Sequence, residues 1–160
     1  MQKHMITLEG YRDLVDRVNY YKNTRLAEAL KDVSEGMEDH DFREDSRVMI
    51  ALEERNRIQE KLGELQSLLK SATIVDCLES DDQVSFGMYV HIKNLDSDEE
   101  KVFRLVGKTE SKPKQGNISY LSPFGQAMLG KSIDDDFEVV SPKGESYWEI
   151  IKISPQAISI

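Results

Sequence analysis

Two long stretches of this chain, roughly residues 7–34 and 42–71, contain no proline and carry apolar residues at the alternating three- and four-residue spacing of paired helices. Between them lies an acid-rich segment in which six of the eleven residues from Glu35 to Asp45 are Asp or Glu. In the first stretch Tyr11, Leu14, Val18 and Tyr21 form the seam, and Leu26, Ala29, Leu30 and Val33 extend it. Thr7 suits the N-cap and Gly36 the C-cap. The second stretch is more regular, with Ala51, Arg55, Ile58, Leu62, Leu65 and Leu69 spaced four, three, four, three and four. Helices of about 28 residues joined by a short connection must run antiparallel, and at roughly 1.5 Å per residue they project about 40 Å. This pattern predicts a helical hairpin that carries its carboxylates at the far end.

Beyond Leu69 the periodicity changes. Ile74, Val75 and Asp76, followed by the polar run Glu79 to Asp82, read as a connector, dividing the chain into domains 1–76 and 77–160. Met88, Val90 and Ile92 alternate with Tyr89, His91 and Lys93, the mark of a half-buried strand. Further strands are expected over 101–106, 117–120, 137–140 and 147–153, with turns at 94–97, 112–114 and 142–144. Ser122, Pro123 and Gly130 bracket a short helix, with serine at the N-cap, proline at the first helical position and glycine past the end. Trp148 or its neighbour Tyr147 is expected in the core. The fold class is therefore α+β, a helical hairpin followed by a small sheet carrying one helix.

Composition removes several functions. The chain has 160 residues, a formal charge of −9, one cysteine and three histidines. Cys77 alone cannot close an intrachain disulfide, and no Cys/His cluster has metal-ligand spacing. The negative charge argues against independent binding to duplex DNA, which runs on clustered Lys and Arg. No segment reaches the length of a membrane span, and the first residues lack the apolar core of a signal peptide, so a cytoplasmic protein without membrane contact is expected.

Several motifs, in order along nearly the whole chain, carry a resemblance. They are the opening Thr7-Leu-Glu-Gly-Tyr-x-x-Leu14, the pair Asp41-x-x-Glu44, Val84-x-Phe-Gly-x-x-Val90, the run Leu95 to Glu100, and Ser122-Pro123 with Leu129-Gly-Lys131. Together they resemble the Gre family of bacterial transcript cleavage factors. The resemblance implies a coiled coil that enters the secondary channel of RNA polymerase core, and a C-terminal domain similar in fold to the FK506-binding proteins that docks at the channel rim. It further implies that Asp41 and Glu44, the candidate catalytic and metal-holding pair, help hold a magnesium ion at the polymerase's own centre. Backtracked RNA is then cut near its 3′ end. The chain would thus be an accessory factor rather than an enzyme, with no stably bound cofactor. Ser122, Pro123 and Phe124 are the matching docking residues. Arg43, Arg47 and Arg55 are the candidate contacts to RNA.

The residues themselves permit more than one reading. Magnesium prefers octahedral oxygen coordination, so two acids alone make a poor site but can complete a two-metal centre supplied by a partner. Asp41-Phe-Arg-Glu44 is equally a capping box, with nearby acids suiting the positive end of the second helix. The tip departs from the usual Gly-Asp-Leu-x-Glu-Asn-Ala-x-Tyr, reading His40-Asp-Phe-Arg-Glu-Asp-Ser-Arg-Val48. Extra acids at Glu38, Asp39 and Asp45 either tighten magnesium or obstruct the channel, which makes a channel inhibitor the alternative function. Met37 and Leu52 stand where the family typically has arginine, and Leu121 replaces the acid that usually precedes Ser122. From a different class, a coiled-coil chaperone or scaffold needs no chemistry at the tip. A peptidyl-prolyl isomerase is weaker, because no aromatic-lined pocket is legible in the sequence.

Overall fold

The computed structural model describes residues 3–38, 46–75 and 82–160. They form two compact units of an α+β chain, one spanning Tyr11–Ala72 and the other Gln2–Gly10 with Thr73–Ile160. The expected domain boundary at 76/77 lies outside the described residues.

The helical unit follows the apolar seam. Helix α1 (Leu8–Tyr20) begins at the expected cap, where the Thr7 hydroxyl accepts a hydrogen bond from the Gly10 N–H at 3.1 Å. It runs through a π turn (Tyr21–Arg25) into α2 (Leu26–Glu38). That turn resolves an irregularity in the sequence. Tyr21 and Leu26 are five residues apart, a spacing that an α-helix would splay by about 140°. The Leu26 N–H bonds instead to the Tyr21 carbonyl, an i→i+5 bond that brings the two residues back toward one face. Leu14, Val18, Ala29 and Val33 are consequently all buried.

Helix α3 (Ser46–Ser71) supplies the facing seam, with Val48, Ile58, Leu62 and Leu65 buried. Arg25 Nη2 meets Glu54 at 2.9 Å, while Gly36 lies against Val48. Rising numbers on α2 thus pair with falling numbers on α3, and the two helices are antiparallel. Two details differ from the sequence reading. Gly36 does not end its helix, which continues to Glu38. A Cβ added there would sit 3.1 Å from Val48 Cγ2, a tight contact, so the helices approach closely at that level. Leu30 faces solvent rather than the seam, because Ala29 and Val33 already fill the stripe on that turn. Residues 42–45, expected to open α3, lie outside the described residues.

The second unit is built on a five-stranded sheet in the order β5-β4-β3-β7-β6. Its strands are β3 (Tyr89–Asn94), β4 (Glu100–Val106), β5 (Asn117–Ser119), β6 (Asp136–Ser141) and β7 (Gly144–Ser154). All neighbours are antiparallel except β4 and β5, and the β3–β7 register shifts between His91 and Ile92. Val90, Ile92, Leu105, Ile118, Phe137, Trp148 and Ile150 form the core with Met128 of α4 (Pro123–Met128). Trp148 is the buried member of its pair and Tyr147 is exposed. The alternation seen at Met88–Lys93 marks the strand correctly, since Val90 and Ile92 are both fully buried.

A two-stranded ladder pairs β1 (His4–Ile6) with β2 (Ala72–Ile74), where the sequence suggested only a connector after Leu69. Three-residue strands show too little alternation to be recognised and form only when a partner is brought alongside. Next to this ladder, half-buried Glu110 gathers the start of α1. Its carboxylate accepts hydrogen bonds from the Thr7 N–H at 3.0 Å, the Gly107 N–H at 2.9 Å and the Thr7 hydroxyl. Arg104 adds a bond to Glu9 at 2.6 Å and stacks 5.1 Å from the Tyr89 ring centre. Partial burial alone would lower the Arg104 pKa. The hydrogen bond to Glu9 and the nearby carboxylates outweigh it and hold the value above the ordinary one.

Glu110→Ala should cost about 2 kcal/mol, because it strands partly buried N–H donors that no neighbouring group replaces. Urea unfolding followed by Trp148 fluorescence measures this, and a change under about 0.5 kcal/mol would mean that water satisfies those donors as well.

Candidate functional site

The sequence-predicted residues fall in three places. Asp41, Glu44 and Arg43, with His40 and the extra acids Asp39 and Asp45, belong to the segment 39–45 and lie outside the described residues. That segment joins the C-terminal end of α2 to the N-terminal end of α3, and the Gly36–Val48 contact shows that the two helices are still paired immediately before it.

Arg47 lies exposed in the first turn of α3. It lines an open groove with Gly36, Ile50, Ala51 and the three acids Asp32, Glu35 and Glu54. Arg55, two turns further along, occupies a seam position and is half-buried. Its Nη2 donates to Asn56 Oδ1 at 3.0 Å, while its Nε is buried without a partner among the described residues. The two arginines are therefore differently disposed, one open at the groove and one drawn into the helix pair. Among the described residues no three His, Cys, Asp or Glu side chains gather at metal-holding distance.

Ser122, Pro123 and Phe124 open α4. The Ser122 hydroxyl accepts from the Gly125 N–H at 3.1 Å and donates to the Ser119 carbonyl at 2.6 Å, so it both caps the helix and ties it to β5. Phe124 packs edge-on against Phe103, Trp148 and Phe137, with ring centres 5.2, 5.5 and 5.8 Å away. Pro123 is exposed. Beside these residues opens a cleft of about 360 Å³ bordered by Phe103, Pro113, Phe124, Val139, Val140 and Pro142. No such pocket was legible in the sequence. Its walls come from β4, the turn at 113–115, α4 and the end of β6, which are far apart along the chain. The one available signal was the set of three prolines, at 113, 123 and 142, each placed in a turn or at a helix start.

An antiparallel helix pair with an acid-rich connection, followed by this sheet, agrees with what comparison with known proteins finds. Residues 4–74 match the transcription elongation factor N-terminal family, and residues 79–155 match the transcription elongation factor GreA/GreB C-terminal family. The chain belongs to the GreA/GreB transcription elongation factors. Transcription elongation factor GreA of Nautilia profundicola is 34% identical over 154 residues, covering 96% of this chain and 95% of that protein. GreA of Baumannia cicadellinicola is 32% identical over 155 residues, covering 96% and 98%. Among solved structures, GreA factor homolog 1 (Gfh1) of Thermus thermophilus is 27% identical, with 96% of this chain and 99% of that one covered and a TM-score of 0.45.

In this GreA/GreB factor the sequence-predicted residues group at the connection between α2 and α3 and at the start of α4. They lie in separate compact units. The described part of this GreA/GreB chain has no helix long and apolar enough to cross a membrane.

Proposed function

We propose that this elongation factor binds RNA polymerase by inserting its α2–α3 hairpin into the secondary channel, and that it stimulates the polymerase's own cleavage of backtracked RNA. The observation that carries this reading is the pair Asp41 and Glu44, kept at the family's Asp-x-x-Glu spacing in the connection between two antiparallel helices. A donor set of two carboxylates is too small for a stable magnesium site of its own, but it is the right number to complete a centre that a partner supplies. A magnesium ion held there would supply polarisation of the scissile phosphate and hydroxide near neutral pH. Asp41 and Glu44 would contribute the missing oxygen ligands and orient the attacking water. Arg43 and Arg47 would lie close enough to the pair in sequence to steady the RNA 3′ end. Pro123 and the cleft beside it would meet the channel rim, while Ser122 and Phe124 hold α4 in place. In this reading the chain acts as a non-catalytic partner of a nuclease centre, in the cytoplasm where transcription takes place.

One observation favours a second reading. Glu38, Asp39 and Asp45 crowd like charge around the pair, which disfavours simultaneous ionisation and repels RNA phosphates. A factor of that kind would block the channel instead of assisting cleavage.

The deciding measurement is the 3′-cleavage product from a backtracked complex at saturating factor. Product is expected with the natural chain, and neutralising the extra acids (Glu38→Gln, Asp39→Asn, Asp45→Asn) should raise its yield. No product, together with slowed nucleotide addition, would favour the inhibitor. Failure to co-migrate with polymerase core would remove both readings and leave a free chaperone or scaffold.

A further inference from the structure

The first turn of α1 belongs to the sheet unit, not to the hairpin. Residues Gln2–Gly10 cluster with the sheet, and α1 runs without a break from Leu8 past Gly10 to Tyr20. Only Thr7 separates β1 from α1, and no residue separates α3 from β2. Both roots of the hairpin therefore grow directly out of the β1–β2 ladder. Whatever holds that root sets the heading of α1.

The root is held by more than a helix start requires. Capping needs only the hydroxyl of buried Thr7, which accepts the Gly10 N–H. Glu110, 103 residues further along, adds a second set of bonds. Its Oε2 accepts the Thr7 and Gly107 N–H groups at 3.0 and 2.9 Å, and its Oε1 accepts the Thr7 hydroxyl. A Cβ on Gly10 would overlap this carboxyl, so the glycine makes room for it. Arg104 bonds to Glu9 at 2.6 Å, and is itself held by its Nε donating to the Gly87 carbonyl at 3.3 Å and by the Tyr89 ring. Both anchors come from β4 and the single turn Lys108–Glu110 that follows it.

Leverage gives these contacts a functional weight beyond their number. At about 1.5 Å per residue, the 26 residues of α3 set Ser46, where the acid-rich segment joins the helix, about 39 Å from β2. A tilt of about 2° at the root moves the far end of such a rod by about 1.4 Å. Reactions that depend on placed ligands lose on the order of a hundredfold in rate for a misplacement of about 1 Å. A root free to rock by a few degrees would leave the hairpin folded and its acids misplaced.

We infer that Glu110, with Gly10 and Arg104, is a positioning clamp that fixes the direction in which α1 leaves the sheet unit and thereby places Asp41 and Glu44 for cleavage. The inference rests on the cleavage reading proposed above. Glu110 touches neither RNA nor metal in it and acts through the helix it holds. Breaking the clamp therefore lowers the cleavage rate of the bound factor more than it lowers binding.

The test breaks the clamp from each side in the full-length chain. Glu110→Ala removes the carboxylate, and Gly10→Ala displaces it, since the flexible Glu110 side chain is what yields to the new Cβ. Alanine is also the better helix former, so any loss with Gly10→Ala does not come from a weaker helix. Each variant should lower the cleavage rate at saturating factor about tenfold or more, with polymerase affinity changed less than about threefold. The two together should do little more than either alone, because both remove one clamp. Glu110→Gln should restore most of the rate, because an amide oxygen at Oε2 still accepts both N–H groups and the amide nitrogen can donate to Thr7. Circular dichroism and Trp148 fluorescence check that the variants are folded. Spin labels at Met49→Cys and Lys152→Cys, in a chain with Cys77→Ser, should give a narrow distance distribution that broadens in both alanine variants. Unchanged cleavage, an unchanged distribution, or a distribution already broad in the natural sequence would overturn the inference. Affinity falling in step with cleavage would overturn it too. A natural chain that yields no cleavage product removes the proposed function and this inference with it, whereas full activity in both natural chain and variants removes the clamp alone.

Discussion

Replacing Asp41 and Glu44 together by alanine should bring transcript cleavage down about a hundredfold or more, to the polymerase's unassisted level, while polymerase affinity changes by less than about threefold. The separation follows from where the groups lie. The two carboxylates belong to the segment between α2 and α3, whereas the facing helix seam and the cleft beside α4 are built from other residues. Removing two oxygen ligands from a metal-dependent reaction removes the reaction without removing those surfaces. Affinity and cleavage must therefore be measured on the same preparation. Equal loss of both would mean that the acids serve binding, and the proposed division of labour would fail. Asp41 and Glu44 also match a capping box, so the variant should lose about 1 kcal/mol of stability from the helical unit. A thermal melt followed at the helical band detects that loss independently of polymerase.

The second large effect is structural. Gly125→Ala should destabilise the sheet unit by about 3 kcal/mol and prevent α4 from seating on β5. Gly125 is buried, and a Cβ there would overlap the Ser119 carbonyl oxygen and stand 3.0 Å from Tyr120 Cα. Both neighbours are backbone, which cannot turn aside as a side chain can. The same Ser119 carbonyl accepts the Ser122 hydroxyl at 2.6 Å, so a shift of α4 also breaks its cap. The ring stack of Phe124 on Phe103, Phe137 and Trp148 would open with it. Trp148 fluorescence during urea unfolding gives the midpoint, and an unchanged midpoint would show that α4 can move away at no cost. The helical unit supplies an internal control, because its seam contains none of these residues.

Where a single element carries its own periodic signal, the sequence was sufficient. The seams of α1, α2 and α3, the Thr7 and Ser122 caps and the five main strands follow from spacing and cap chemistry, because a helix or strand must turn its apolar residues to one side. The acid-rich stretch between the two helices was likewise visible as local composition. Other features depended on which elements meet in space, and no local pattern records that. Gly36 reads as a helix end and is instead a point of close helix approach, which only its neighbour across the pair, Val48, reveals. The π turn at Tyr21–Arg25 absorbs a five-residue spacing that the sequence shows as an irregularity, and the packing of the turn and of α2 against α3 is what the local pattern does not record. The β1–β2 ladder, the carboxylate of Glu110 at the start of α1 and the cleft beside Phe124 each join residues from distant parts of the chain. Sequence by itself determined that this protein is acidic, through its charge count, and α+β, through the periodicity of its segments. Only the tertiary structure decided where the two helices come closest and where the second unit opens a cleft, because burial is a property of neighbours in space and not of neighbours in sequence.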